Sequence, residues 1–320
     1  MTNRALDRSA AISARALRKS FGQVTAVDGI DLDVPKGMIF AILGPNGAGK
    51  TTLMRMLATL ATPEGGTASV MGHDLIEHPA DVRGAIAMTG QFASLDEDLT
   101  GRDNLVLLAR LLGFRGRAAR ERADALLGAF DLSEAATRQV KTYSGGMRRR
   151  LDIAASLVVT PGVLFLDEPT TGLDPSARQG VWRMIRGLAQ SGVTILLTTQ
   201  YLDEADQLAA RIAVIDKGRK IAEGTSRELK AETGSGFLHV AIHDPMQIET
   251  AAAILEARLK HKVRRGVEGA ELAVIAGTAK DASDAIAALI EGGIDVSDFS
   301  LGSPSLDEVF FSLTGKEERP

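Results

Sequence analysis

Apolar residues along the chain follow two rhythms. Continuous apolar runs of strand length, Met38 to Leu43, Gly162 to Leu166 and Val193 to Leu197, fit strands buried on both faces of a sheet. Between them the spacing turns helical: from Gly49 to about Leu60, through Leu105 to Leu112 and Ala123 to Phe130, and over Ala177 to Gln190. This βαβ succession predicts a parallel sheet covered by helices. Ahead of it, residues 12–37 predict paired strands, with alternation in Gly29 to Val34 and a turn at Pro35-Lys36-Gly37. The stretch from Asp96 to about Val159 is mostly helical, and Arg211 to Glu223 reads as a hairpin turning at Lys217-Gly218.

Composition shifts at Glu232-Thr233-Gly234-Ser235-Gly236, a linker signal that divides residues 1–232 from 233–320. Beyond it the pattern reads strand (Phe237 to Ile242), helix (Met246 to Leu259), strand (Val263 to Val267), strand (Glu271 to Ile275), helix (Ala282 to Glu291) and strand (Ile294 to Leu301). That βαββαβ order predicts a small ferredoxin-like domain. A last helix, Ser305 to Leu313, places Leu306, Val309, Phe310 and Leu313 on one face, which either packs on its own domain or helps two copies dimerise.

Bulk properties narrow the function. A chain of 320 residues has room for two domains, one with a sizeable core. A net charge of −4 and 4% aromatic residues give neither the basic field nor the stacking platform of a nucleic-acid binder. Cysteine is absent, which excludes disulfides, thiolate catalysis and Cys-ligated zinc. No signal-peptide pattern is read at the N-terminus. No run reaches the ~18 apolar residues of a membrane-spanning helix. Any pore would belong to other chains.

The run Met38 to Leu43 enters Gly44-Pro45-Asn46-Gly47-Ala48-Gly49-Lys50-Thr51, a phosphate-loop pattern between a buried strand and a helix. Small residues let successive backbone N–H groups face phosphates, and the helix end adds its positive pole. Lys50 is placed to reach the β- and γ-phosphates, Thr51 to ligate Mg²⁺, and Thr52 to lie beside them. The run Val163 to Leu166 delivers Asp167 and Glu168 to the carboxyl edge of a parallel strand. Asp167 suits a Mg²⁺ shell and Glu168 a general base; alone, the pair would also serve as an acidic helix cap.

Tyr143-Ser144-Gly145-Gly146-Met147 resembles the signature of ABC-type ATPases, and it precedes Asp167-Glu168 by the family's usual interval. The resemblance implies a P-loop NTPase domain with an antiparallel β subdomain and a helical subdomain at about 92–159. It also implies that Ser144, Gly145 and Gly146 address the γ-phosphate of ATP held by an opposite protomer, so that two ATP with Mg²⁺ lie at a homodimer interface. Gln91, in Met88-Thr89-Gly90-Gln91, is similar to the Q-loop glutamine that links Mg²⁺ to a membrane partner, and in isolation reads as a solvated loop residue. Gly172-Leu173-Asp174 resembles the D-loop; Asp174 also reads as a cap before Pro175. Phe21 stands where the family carries an aromatic stacked on adenine, and equally fits a core position of a strand.

The chain departs from the family at Gln200, where a histidine is usual. An amide still donates a hydrogen bond but cannot become cationic. Together with Gly90 to Ser94 and Ser305 to Phe310, Gln200 makes the chain resemble the daunorubicin/doxorubicin-resistance exporter ATPases. That implies ATP hydrolysis with Glu168, Gln200 and Gln91 as catalytic residues. It also implies a separate integral membrane permease, a peripheral position on the cytoplasmic face of the membrane, and efflux of a hydrophobic drug or lipid. Two other readings stand beside it: a soluble ABC protein acting on ribosomes or DNA, and a regulatory ATP switch with weak turnover. Arg148-Arg149-Arg150 starts the signature helix and is expected to turn partly to solvent or to an acidic partner, not to nucleic acid.

Overall fold

The computed structural model describes residues 6–7, 9–89, 95–232, 236–265, 271–302, 306 and 309–310. The chain forms two compact units that divide between Thr225 and Ser226, seven residues before the division expected from composition.

The first unit runs β1 (Ile12–Phe21), β2 (Val24–Val34), β3 (Ile39–Leu43), α1 (Lys50–Leu57), β4 (Gly65–Val70), β5 (His73–Asp74), α2 (Pro79–Ala85), β6 (Ile86–Thr89), α3 (Gly101–Leu111), α4 (Gly116–Ala129), α5 (Gly145–Ser156), β7 (Val163–Asp167), α6 (Pro175–Gln190), β8 (Thr194–Thr199), α7 (Leu202–Leu208), β9 (Arg211–Asp216) and β10 (Arg219–Gly224). Among the described residues these strands make two sheets. One is antiparallel, in the order β2-β1-β4-β5. The other runs β10-β9-β3-β8-β7-β6, parallel from β9 through β6, with β10 antiparallel at its edge.

The three central parallel strands are buried along their whole length, as expected where both faces are covered: Ile39–Leu43, Val163–Asp167 and Thr194–Thr199 expose almost nothing. One core joins the two sheets through α1, with Ile12, Leu17 and Ile30 meeting Phe40, Leu53, Met54 and Phe165. The hairpin β9–β10 turns on Lys217 and Gly218, both at positive φ (48° and 78°), the two-residue geometry that matches strand twist. Its turn docks on the phosphate loop: Gly218 N–H donates to the Ala48 carbonyl, and Asp28 N–H donates to the Gly218 carbonyl.

The second unit contains α8 (Ser226–Glu232), β11 (Gly236–Ile242), α9 (Ile248–Leu259), β12 (Arg264–Arg265), β13 (Glu271–Ala276), α10 (Ala279–Glu291) and β14 (Val296–Gly302). Its sheet is antiparallel in the order β12-β13-β11-β14, the strand arrangement of a split βαβ fold. Leu238, Val240, Leu272 and Val274 pack there against Ala251, Leu255, Ala285 and Leu289 of the two long helices. Of the expected final helix, Leu306 and Val309 are buried, while Leu313 lies outside the described residues.

Candidate functional site

Three parallel strands deliver the site. β3 ends at Leu43 and opens into the phosphate loop, β7 ends at Asp167, and β8, lying between them, ends at Thr199. Their carboxyl ends therefore meet at one edge of the sheet, where open α/β sheets bind ligands.

Glycine is required in the loop. A Cβ on Gly44 would strike the Ile215 carbonyl, and one on Gly49 would strike the Ala26 carbonyl. Gly49 has φ 105° and is the N-cap of α1, a left-handed conformation that costs an L side chain dearly. Because no side chain caps α1, its first N–H groups are left for an anion. Lys50 is buried, and its Nζ donates to the carbonyls of Gly44 (2.8 Å) and Pro45 (3.1 Å) while standing 3.7 Å from Glu168 Oε1. Burial holds its pKa below the ordinary lysine range, against the pull of Glu168 and Asp167.

Thr51 Oγ1 donates to Asp167 Oδ1 at 3.1 Å, so two of the residues expected to hold Mg²⁺ are in contact. Among the described residues no cluster of three or more His, Cys, Asp or Glu is suited to a metal. A hydroxyl and a single carboxylate fit a hard cation that takes most of its ligands from phosphate and water, which is how Mg²⁺ binds with nucleotides. The donor set therefore fits the group.

Glu168 stands one residue past β7 at φ 46°, a left-handed conformation that is strained for glutamate. Thr198 pins it: Glu168 N–H donates to the Thr198 carbonyl and to Thr198 Oγ1, each at 3.1 Å. The same Thr198 hydroxyl donates to Asp167 Oδ1. Thr171 Oγ1 donates to Glu168 Oε2 at 3.2 Å. Gln200, half-buried, is the first residue after β8.

Ser144 caps α5, its hydroxyl accepting from Met147 N–H at 3.3 Å, and Ser144 and Gly145 are exposed. Gly146 is buried, because a Cβ there would come 2.8 Å from the Ala177 Cβ on α6. Asp174 caps α6 by accepting from Ala177 N–H at 2.9 Å, as the capping reading required. Phe21 is not a core residue: 56% of it is exposed at the end of β1, opposite Val24, with Lys19 Nζ 5.4 Å from its ring centre. Gln91 lies outside the described residues.

Of the three arginines, expected to turn partly to solvent or to an acidic partner, Arg149 turns inward. Its side chain is 13% exposed and donates to the Pro169 carbonyl (2.8 Å) and to Asp152 Oδ2 (3.1 Å). Three consecutive helical positions point in three directions, so one of them had to face the sheet. Burial lowers its pKa, against the charges of Asp152, Glu204 and Asp167. Sequence reasoning also passed over Thr198 and Glu204. A hydroxyl at the end of a buried strand was the only signal for the first. For the second it was an acidic residue on the same helical stripe as Ala205 and Leu208.

Known proteins bear on this geometry directly. The family described as ABC transporter matches residues 27–171. The daunorubicin/doxorubicin resistance ATP-binding protein DrrA of Streptomyces peucetius is 54% identical over 95% of this chain and 92% of its own. The chain belongs to the ABC transporter ATP-binding proteins of the daunorubicin/doxorubicin-resistance family.

A Nod factor export ATP-binding protein I of Ralstonia nicotianae is 42% identical to this ABC protein over 78% of each chain. Among solved structures, cbiO1 of Clostridium perfringens, part of the ABC transporter complex cbiONQ, superposes with a TM-score of 0.65. It is 25% identical and covers 70% of this chain and 92% of its own. This ABC subunit binds ATP and hydrolyses it as the motor of a transporter. No helix among its described residues is long and apolar enough to cross a membrane.

Proposed function

We propose that this subunit works as a pair, each ATP bound by the phosphate loop of one copy and closed by Ser144, Gly145 and Gly146 of the other. The observation that carries the reading is the meeting of Lys50 with Glu168, and of Thr51 and Thr198 with Asp167, at one strand edge. Lys50 and the loop N–H groups take the phosphates, and Phe21 offers an exposed ring to the adenine. Thr51, Asp167 and Gln91 would hold Mg²⁺, which supplies charge neutralisation to the β- and γ-phosphate oxygens.

Glu168 orients the attacking water and accepts its proton, and its strained backbone keeps the carboxylate aimed at that water. Gln200 donates its amide hydrogen to a γ-phosphate oxygen in place of an imidazolium. Asp174 holds the start of α6 toward the opposite copy. Closure around ATP drives a separate membrane permease, and hydrolysis reopens the pair. The permease binds the subunit at the cytoplasmic face of the membrane. Identity to a daunorubicin/doxorubicin resistance protein supports a hydrophobic drug or lipid as the exported cargo.

Mixing two inactive variants tests the shared site. Lys50→Ala disables one phosphate loop and Gly145→Glu one signature helix, so a mixed pair regains one intact site of two. Recovery of ATP hydrolysis on mixing supports the reading; two variants that stay as inactive together as apart contradict it.

A further inference from the structure

Glu204 stands in the first turn of α7, fully buried, four residues after Gln200. A carboxyl with no exposure is costly unless its neighbours require it. Its Oε1 accepts from Thr170 Oγ1 at 2.7 Å and from Trp182 Nε1 at 3.1 Å. Thr170, also fully buried, lies two residues past Glu168, in the segment that leads to Asp174. Trp182 lies on α6, the helix that Asp174 caps. One oxygen atom therefore ties the segment after Gln200 to the segment after Glu168 and to the helix behind Asp174.

A second tie runs beside it. Tyr201, the residue after Gln200, has its ring under the Arg178 guanidinium of α6, 5.0 Å from the ring centre. Thr199, the residue before Gln200, accepts from Tyr201 N–H at 2.9 Å and so closes the turn that presents Gln200. Glu204 Oε2 is buried without a hydrogen-bond partner of ordinary geometry. Burial raises the carboxyl's pKa, against the lowering by Thr170, Thr199, Trp182 and the Arg178 charge.

We propose that Glu204 is a positioning residue for ATP hydrolysis, a buried acceptor that locks the Gln200 turn to the Glu168–Asp174 segment so that the two move as one body. It touches neither nucleotide nor metal; it acts through the residues that do. The inference rests on the reading of Glu168 and Gln200 as catalytic. Contact with γ-phosphate at Gln200 is thereby passed to Asp174, and closure and hydrolysis are linked within each copy.

The test uses the purified full chain and four variants: Glu204→Ala, Glu204→Gln, Gln200→Ala, and Glu204→Ala combined with Gln200→Ala. Each rate is normalised to the folded fraction measured by thermal unfolding. Glu204→Ala is expected to lower kcat about tenfold with KM for ATP little changed, and Glu204→Gln, which keeps the acceptor oxygen, to stay within about threefold of the parent. Because the two groups act as a unit, the double variant is expected to lose no more than the worse single one.

A folded Glu204→Ala protein with the parent kcat overturns the proposal, as does strict multiplication of the two single losses. So does a Glu204→Gln protein as slow as Glu204→Ala. Glu168→Gln serves as the control for the underlying reading. If it hydrolyses ATP at the parent rate, the site assignment itself falls and this inference with it. If it is inactive while Glu204→Ala is not, the inference alone falls.

Discussion

The Thr198 hydroxyl donates to Asp167 Oδ1 and at the same time accepts the Glu168 N–H at 3.1 Å. One side chain on the middle strand thus fixes both the carboxylate expected at Mg²⁺ and the backbone that aims the expected base. Register makes this possible, because Thr198 lies opposite Asp167 on β7 and opposite Ile42 on β3.

Replacing Thr198 with valine keeps the shape and removes the hydroxyl. Loss of such an orienting partner costs about 10- to 100-fold in activity or metal affinity. The expected result for Thr198→Val is a fall in kcat of that order and a higher Mg²⁺ requirement, read from ATP hydrolysis at stepped Mg²⁺ concentrations. Unchanged kinetics would mean that Asp167 and Glu168 are held by other contacts.

Gln200 has no cationic form, so the part proposed for it in hydrolysis rests on its amide as a donor. Gln200→His restores a group that can carry charge and is expected to retain or raise kcat. Gln200→Ala removes the donor and is expected to lower kcat about tenfold or more. A large loss in the histidine variant would show that this site requires the amide itself.

Arg149 is a buried charge tied to the Pro169 carbonyl and to Asp152. Arg149→Met fills similar space but removes the charge beside a buried carboxylate. Breaking such a pair costs about 3 kcal/mol or more. Urea denaturation should show that loss as a lower midpoint with little change in slope. A midpoint equal to the parent's would place the stabilisation elsewhere.

The raised pKa of Glu204 gives stability a predictable pH dependence. Its folded value lies above the ordinary 4.5, so between the two the native chain holds a proton that the unfolded chain has released. Stability contributed by this group is therefore full below 4.5, falls as pH rises through the folded value, and levels off above it. Glu204→Gln has no proton to lose there. Denaturation followed from about pH 4.5 to about pH 8 should show the parent losing ground to the glutamine variant as pH rises. Parallel curves would contradict the shift.

Much of the catalytic half was legible because its chemistry sits in contiguous residues. Gly44 to Thr51 needed its glycines for backbone reasons that sequence alone conveys, and the apolar runs before Gly44 and Asp167 marked the strands. The C-terminal strand and helix order was equally plain from periodicity. What escaped the sequence were contacts between segments far apart in the chain. Arg149 reads as one of three arginines shared between solvent and an acidic partner, and which of them turns inward shows only when α5 is laid against the segment after β7. Glu204 and Asp203 are adjacent acids; only the packing of α7 buries one and leaves the other exposed. The left-handed backbone of Glu168 has no sequence signal, since glutamate is not a residue that favours it. Composition put the division at the glycine-rich stretch near residue 234, but α8 belongs with the second unit, so the division falls at Thr225.

The shared site is the central claim, and trapping it tests that claim most directly. Glu168→Gln should bind ATP with Mg²⁺ and fail to hydrolyse it, which holds the closed state. Light scattering of this variant is expected to report twice the chain mass with ATP and Mg²⁺, and a single chain mass with ADP. A variant that binds ATP at saturation yet keeps the mass of one chain would contradict the account.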